Sequence, residues 1–195
     1  MNSYPKYGKP FEPGKFYHIY NRAVGNERLF ESRENFLFFL KKYQKYTIDH
    51  ISTYSYCLLE NHFHFLIKFH ESSNDGIISE QLRRFLISYA KAFNKQQNRK
   101  GSLFEKHLKR VKIESNEQLM WTIYYIHRNP AHHQLTLSYN KYGWSSFPAL
   151  LSEKSTDLKR AAVFELFDGK ENFIKFHEKN MELDILSKKI RFSEF

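Results

Sequence analysis

Residues 60–69, Glu-Asn-His-Phe-His-Phe-Leu-Ile-Lys-Phe, have the alternating pattern of a β-strand with two unlike sides. At the two-residue period of a β-strand, every second residue from Phe63 to Phe69 is apolar and predicts a core-facing side. The opposite side carries His62 and His64, whose Cα atoms lie roughly 6.5–7 Å apart in a strand. Both imidazoles can therefore reach one divalent cation or one phosphate oxygen. The alternative interpretation is two half-exposed histidines on an ordinary amphipathic strand.

Composition points towards nucleic acid. The 195 residues carry a formal net charge of +10, and 17% of them are aromatic. Cations bind phosphates and planar rings stack on exposed bases, so this combination is typical of nucleic-acid-binding proteins. The alternative is a basic protein with no such partner. Cys57 is the only cysteine in the sequence, which excludes a disulfide framework and a thiolate zinc site.

The sequence also predicts location and domain organisation. The N-terminus lacks the apolar segment of a signal peptide, and no run of about 18 apolar residues is long enough to span a bilayer. We therefore expect a cytoplasmic protein that does not bind membranes. Residues 1–150 are predicted to form one domain, and residues 151–195 a C-terminal helical extension.

Residue periodicity and turn signals predict the order β-α-β-β-α-β-α. The strands are expected at 16–23, 51–59, 62–69 and 106–113. The longer helices are expected at 32–46 and 77–98 and from Ser115 to Asn129-Pro130, with short helical segments near 156–167 and 170–182. This order indicates an α+β fold with a ferredoxin-like antiparallel sheet and helices packed on one face. The histidine strand would be central, with its histidine side open to solvent.

Several motifs resemble one known family. Asn61-His62-Phe63-His64-Phe65-Leu66 is similar to the His-hydrophobe-His (HUH) motif of IS200-like, Y1-type transposases, especially the REP-associated tyrosine transposases. Four further segments resemble motifs of that family: FYHIYNR at 16–22, GSLFEK at 101–106, YIHRNP at 125–130 and WSSF at 144–147. The resemblance covers roughly residues 15–150.

The resemblance implies DNA transposition, by cleavage and rejoining of single-stranded or hairpin DNA. In such a recombination enzyme, His62 and His64 would bind Mg²⁺ or Mn²⁺ with a third polar ligand, and the ion would polarise the scissile phosphate. A tyrosine on the helix after the basic strand would attack the phosphorus, form a 5′-phosphotyrosyl bond and release a 3′-OH.

The position of that nucleophile is where this sequence departs from the family. Alignment on the Asn129 motif places the family tyrosine at Gln118, an amide that cannot form a phosphotyrosine. Gln118 also fits a capping box with Ser115. Tyr125, seven residues later, lies on much the same helix face and is a substitute nucleophile or a packing residue, whereas Tyr124 points about 100° away. The sequence thus leaves open an active transposase, a descendant that only binds DNA hairpins, and a nuclease that activates water at the metal.

Basic residues supply candidate DNA contacts. Arg22 lies on the first strand, and six further cations cluster around the basic strand: Arg99, Lys100, Lys106, Lys109, Arg110 and Lys112. Such side chains hold phosphates and give binding a steep salt dependence. The alternative is a solvated, charged sheet edge. A homodimer and a monomer are both compatible with the sequence.

Overall fold

The computed structural model describes residues 10–136 and 139–183, with the backbone alone for 181–183. Its elements, in chain order, are β1 (Phe16–Arg22), α1 (Arg33–Thr47), β2 (Ile51–Leu59), β3 (His62–Phe69), α2 (Asp75–Gln96), β4 (Lys109–Ile113), α3 (Asn116–His132), a 3₁₀ turn (Tyr139–Lys141), α4 (Ser146–Leu151), α5 (Arg160–Leu166) and α6 (Lys170–Leu183).

The four strands form one antiparallel sheet in the order β2-β3-β1-β4. The predicted α+β class is confirmed, and β3 is a central strand as expected. A two-residue turn joins β2 to β3, which fixes their antiparallel pairing. In the β1–β3 register Tyr20 pairs with His64 and Arg22 with His62, so these four side chains share one face of the sheet.

The opposite face carries the hydrophobic core, and α1 and α2 pack on it. Phe39 of α1 is fully buried, with its ring centroid 5.1 Å from that of Phe63 and 4.8 Å from that of Phe85. Tyr43 stacks on Phe65 at 4.1 Å. These contacts explain much of the aromatic content, because many of the rings counted as candidates for base stacking are instead buried between the sheet and α1 and α2.

The histidine face is not open to solvent, contrary to the prediction. His64 is 1% exposed and Leu66 is fully buried. Helix α3 covers this part of the sheet, with the Tyr125 ring centroid 5.7 Å from that of His64. The sequence pattern is misleading here because the mixed polar and apolar side of β3 resembles a solvent-facing one.

Two element boundaries also differ from the prediction. Helix α3 contains Pro130 and ends at His132. Proline lacks only its own N–H group, so the N–H groups of the following residues can still donate to carbonyls one turn earlier. The N–H of His133, for example, donates to the carbonyl of Asn129 at 2.9 Å. Strand β4 begins at Lys109, so Lys106 lies in the preceding loop.

The Trp-Ser-Ser-Phe segment closes the β2 edge of the sheet. The N–H of Leu58 donates to the carbonyl of Trp144 at 2.9 Å, and the N–H of Tyr56 donates to Ser146 Oγ at 2.8 Å. The same hydroxyl lies 2.8 Å from His127 Nε2 on α3. This motif therefore ties α3 to the sheet and so helps to fix the helix over the histidines.

The chain divides into two compact units after Lys159, whereas the sequence analysis places the boundary at 150/151. The first unit contains the sheet and α1–α4. The second contains α5 and α6, where Val163, Phe173 and His177 are fully buried. Within the described residues, no helix combines the length and apolarity needed to cross a membrane.

Candidate functional site

Strand β3 and helix α3 bring together a polar cluster on the covered face of the sheet. Tyr125 and Asn129 on α3 and His133, the residue directly after the helix, recur every four residues and therefore lie on one side of it. On β3, the ring centroids of His62 and His64 are 5.2 Å apart. The ring of His64 faces Tyr125, and the ring of His62 lies 4.6 Å from that of His133. The two predicted histidines are thus adjacent and meet the side chains of α3.

The protonation pattern of His62 is set by its neighbour. Its Nδ1 lies 2.6 Å from Asn61 Oδ1, an atom that can only accept a hydrogen bond. Nδ1 must therefore carry the proton, which leaves the lone pair on Nε2. Burial lowers the pKa of His62 to about 3, helped by His133 and Arg22 and opposed by the amide of Asn129. His62 is consequently neutral at physiological pH and able to act as a ligand.

His64 is more deeply enclosed. Its Nδ1 lies 2.9 Å from Nε2 of His18, a β1 residue that is also buried. Burial holds the pKa of His64 well below its usual range, so this ring too is neutral. Its Nε2 has no hydrogen-bond partner among the described residues. A buried polar atom without a partner is costly, and this nitrogen is available to a ligand.

Asn129 is a site residue that the sequence analysis missed. Its side chain is buried and its Nδ2 donates to the carbonyl of Tyr125 at 2.9 Å. Its Oδ1 is buried and makes no hydrogen bond of good geometry within the described part of the chain, although the amide is close enough to His62 and Tyr125 to oppose the pKa shifts of both. The sequence signal that identifies it is its four-residue spacing from Tyr125 on a helix, which places both on the side that meets the histidines.

Tyr125, rather than Tyr124, faces the histidines. Its ring centroid is 5.9 Å from that of His18, in addition to its contact with His64. Burial raises the pKa of Tyr125, and the amide of Asn129 opposes the shift. The hydroxyl of Tyr124 instead accepts a hydrogen bond from Arg128 Nη1 at 2.8 Å.

Gln118 lies at the start of α3, away from this cluster. Its Oε1 accepts from the N–H of Glu114 at 2.8 Å, and its own N–H donates to Ser115 Oγ at 3.1 Å. This agrees with the predicted capping role, except that the side chain reaches the residue before the cap. Seven residues of helix separate Gln118 from Tyr125 by about 10 Å along the axis.

Metal-binding capacity depends on the donor set. Among the described residues, no group of three or more His, Cys, Asp or Glu side chains is arranged to hold a metal ion. A site here would therefore combine His62 and His64 with an amide oxygen, that of Asn129. An amide oxygen suits both Mn²⁺ and Mg²⁺, whereas imidazole nitrogens suit a transition metal such as Mn²⁺ better than the harder Mg²⁺. The two partnerless buried atoms, His64 Nε2 and Asn129 Oδ1, fit such an ion.

Four of the seven candidate DNA-binding cations already have partners within the chain. Arg22 pairs with Glu105 at 3.5 Å, Arg99 with Glu27, and Lys112 with Glu12 at 2.8 Å, while Arg110 lies over the Phe11 ring at 4.0 Å. The other three side chains are exposed and are called the exposed lysines below: Lys100, Lys106 and Lys109. The sequence could not separate these groups, because the partners of the first four are distant in the chain.

Comparison with known proteins gives one informative match. No protein-family model matches the sequence, and no curated protein matches it. A solved structure of a REP-associated tyrosine transposase bound to a REP hairpin is similar, with a TM-score of 0.64 and 15% sequence identity. The similarity covers 78% of this chain and 87% of that one. The chain therefore has the fold of a REP-associated tyrosine transposase.

Proposed function

We propose that this protein is a metal-dependent endonuclease and strand transferase that acts on single-stranded or hairpin DNA. The observation that carries the proposal is the pair of buried, partnerless atoms, His64 Nε2 and Asn129 Oδ1, beside His62 and Tyr125. The fold shared with a hairpin-bound transposase and the net charge of +10 support DNA as the partner.

In this proposal His62, His64 and Asn129 hold Mg²⁺ or Mn²⁺. A bound ion of this kind polarises a phosphate oxygen and neutralises charge that develops on it. Arg22, which pairs with His62 across the β1–β3 ladder and has 34% of its side chain exposed, would contact the same phosphate. Its ion pair with Glu105 would be exchanged for that contact.

Tyr125 is the proposed nucleophile. Its hydroxyl oxygen forms a bond to phosphorus while the bond from phosphorus to the 3′ oxygen breaks, and the tyrosine loses the proton that the released 3′-OH finally gains. Because burial raises the pKa of Tyr125, the phenol stays protonated until substrate and ion are in place. Attack by another 3′-OH reverses the step and rejoins the strands without a further energy source.

The test uses a pool of 3′-labelled DNA hairpins with randomised single-stranded flanks, incubated with the full chain and Mn²⁺. We expect a protein–DNA adduct that survives denaturing electrophoresis. The adduct should be lost in Tyr125→Phe and in His62→Ala. The matched control is Tyr124→Phe, which removes the neighbouring hydroxyl and should leave the adduct unchanged.

Other outcomes identify the remaining functions. Cleavage without an adduct, retained in Tyr125→Phe, would mean that water rather than tyrosine is the nucleophile. Hairpin binding without cleavage, unaffected by His62→Ala, would identify a protein that binds DNA but does not cut it. An adduct of equal yield in Tyr125→Phe would refute the assignment of the nucleophile.

A further inference from the structure

His18 is a buried residue that the proposed mechanism does not use. It lies on β1, next to β3, and its side chain is 2% exposed. Its ring lies edge to edge with that of His64, with centroids 5.1 Å apart and an interplanar angle of 24°. The 2.9 Å contact between His18 Nε2 and His64 Nδ1 links the two rings directly.

This contact permits only two proton arrangements. Between two neutral imidazoles, which carry one N–H each, a 2.9 Å contact of ring nitrogens needs one proton, and either His64 Nδ1 or His18 Nε2 holds it. If His64 donates from Nδ1, its Nε2 has a free lone pair. If His18 donates from Nε2, the proton of His64 lies on its own Nε2, which then cannot bind a cation.

His18 occupies the position that Asn61 occupies for His62. Asn61 Oδ1 accepts from His62 Nδ1 and so leaves the His62 Nε2 lone pair available. For His64, the partner at Nδ1 is His18. Metal-binding histidines commonly donate their second ring N–H to such an acceptor, which fixes the tautomer and the orientation of the ring.

We propose that His18 is a positioning residue that accepts the Nδ1 proton of His64 and thereby presents the Nε2 lone pair of His64 to a divalent cation. This inference rests on the proposed function, since it concerns the same metal site. It assigns a role to a buried polar residue on β1 that touches neither the substrate nor the ion.

The test is Mn²⁺ binding by the full chain, measured from the electron paramagnetic resonance signal of free Mn²⁺. His18→Phe keeps a ring in the cavity but removes the acceptor, and should weaken Mn²⁺ binding about 10–100-fold. His18→Gln places an amide near the position of the imidazole Nε2, and its carbonyl oxygen can accept from His64. It should bind Mn²⁺ within about threefold of the wild type, whereas a purely space-filling role for His18 predicts that Phe is the better substitute.

A second measurement needs no substitution at position 18. In ¹⁵N-labelled wild-type protein loaded with diamagnetic Mg²⁺, imidazole ¹⁵N shifts should show His64 protonated at Nδ1. Protonation of His64 at Nε2, or unchanged Mn²⁺ affinity in His18→Phe, would overturn the inference and leave the proposed function intact. If the wild type binds no Mn²⁺, the metal-dependent function and this inference both fail.

Discussion

Gln118 provides a sharp test, because alignment and structure assign it different roles. Alignment with the transposase family places Gln118 at the position of the nucleophile, whereas the structure shows it capping α3. The informative change is Gln118→Ala, which removes the side-chain amide and keeps a residue that favours helix. The matched variant Gln118→Glu keeps an oxygen that can accept the same hydrogen bond.

The expected loss of stability follows from one hydrogen bond. Gln118 Oε1 accepts from the N–H of Glu114 at 2.8 Å in an exposed setting. Helix-capping interactions typically contribute about 0.5–2 kcal/mol, and an exposed one belongs in the lower half of that range. We expect Gln118→Ala to lower the free energy of unfolding by about 0.5–1 kcal/mol, which is about 1–4 °C in Tm for a unit of this size. Gln118→Glu should remain within about 2 °C of the wild type, since the acceptor is retained.

Tryptophan fluorescence is the appropriate readout, because Trp121 and Trp144, the two tryptophans of the sequence, both lie in the first compact unit. Adduct formation with the labelled hairpin pool is measured on the same samples. We expect the wild-type yield of adduct in Gln118→Ala. Loss of the adduct with an unchanged Tm would refute the capping role and place Gln118 at the reaction centre.

Three further predictions concern the core, the DNA contacts and the second unit. Phe39→Ala removes a fully buried ring and should cost about 3–5 kcal/mol in urea unfolding; a cost below about 1 kcal/mol would contradict the packing described here. Replacing the exposed lysines by alanine should reduce the slope of the logarithm of the binding constant for single-stranded DNA against the logarithm of the salt concentration by up to about 2. An unchanged slope would mean that these lysines are solvated and do not contact DNA. Burial lowers the pKa of His177 to about 4, below its value of roughly 6.5 in an unfolded chain, so its contribution to stability is complete above pH 6.5 and declines as the pH falls towards 4. That contribution should fall by about 2 kcal/mol between pH 7 and pH 5, and an NMR titration of folded His177 with a midpoint near 6.5 would contradict it.

The sequence predicted the sheet because its signals are local. The alternation in residues 62–69 and the short break before it determine the β2–β3 hairpin without information from distant residues. The element order then limits the topology to a few antiparallel arrangements. Helix ends were less predictable. A proline usually marks the end of a helix, but α3 continues past Pro130 because the N–H groups of later residues, such as His133, still donate to carbonyls one turn earlier.

The site was only partly predictable, because its environment depends on contacts between distant residues. The pairing of His62 and His64 follows from strand geometry, but their burial depends on where α3 packs. The bond between His18 and His64 joins residues 46 positions apart and has no signature in the spacing of either motif. Asn129 was missed because its role depends on an orphaned oxygen, which only the packed structure reveals.

We propose that His62, His64 and Asn129 converge on one divalent cation next to Tyr125. The most direct measurement is an anomalous difference map from crystals of the full chain soaked in Mn²⁺. We expect a peak within bonding distance of Nε2 of both histidines and of Asn129 Oδ1. The absence of a peak there would contradict this arrangement.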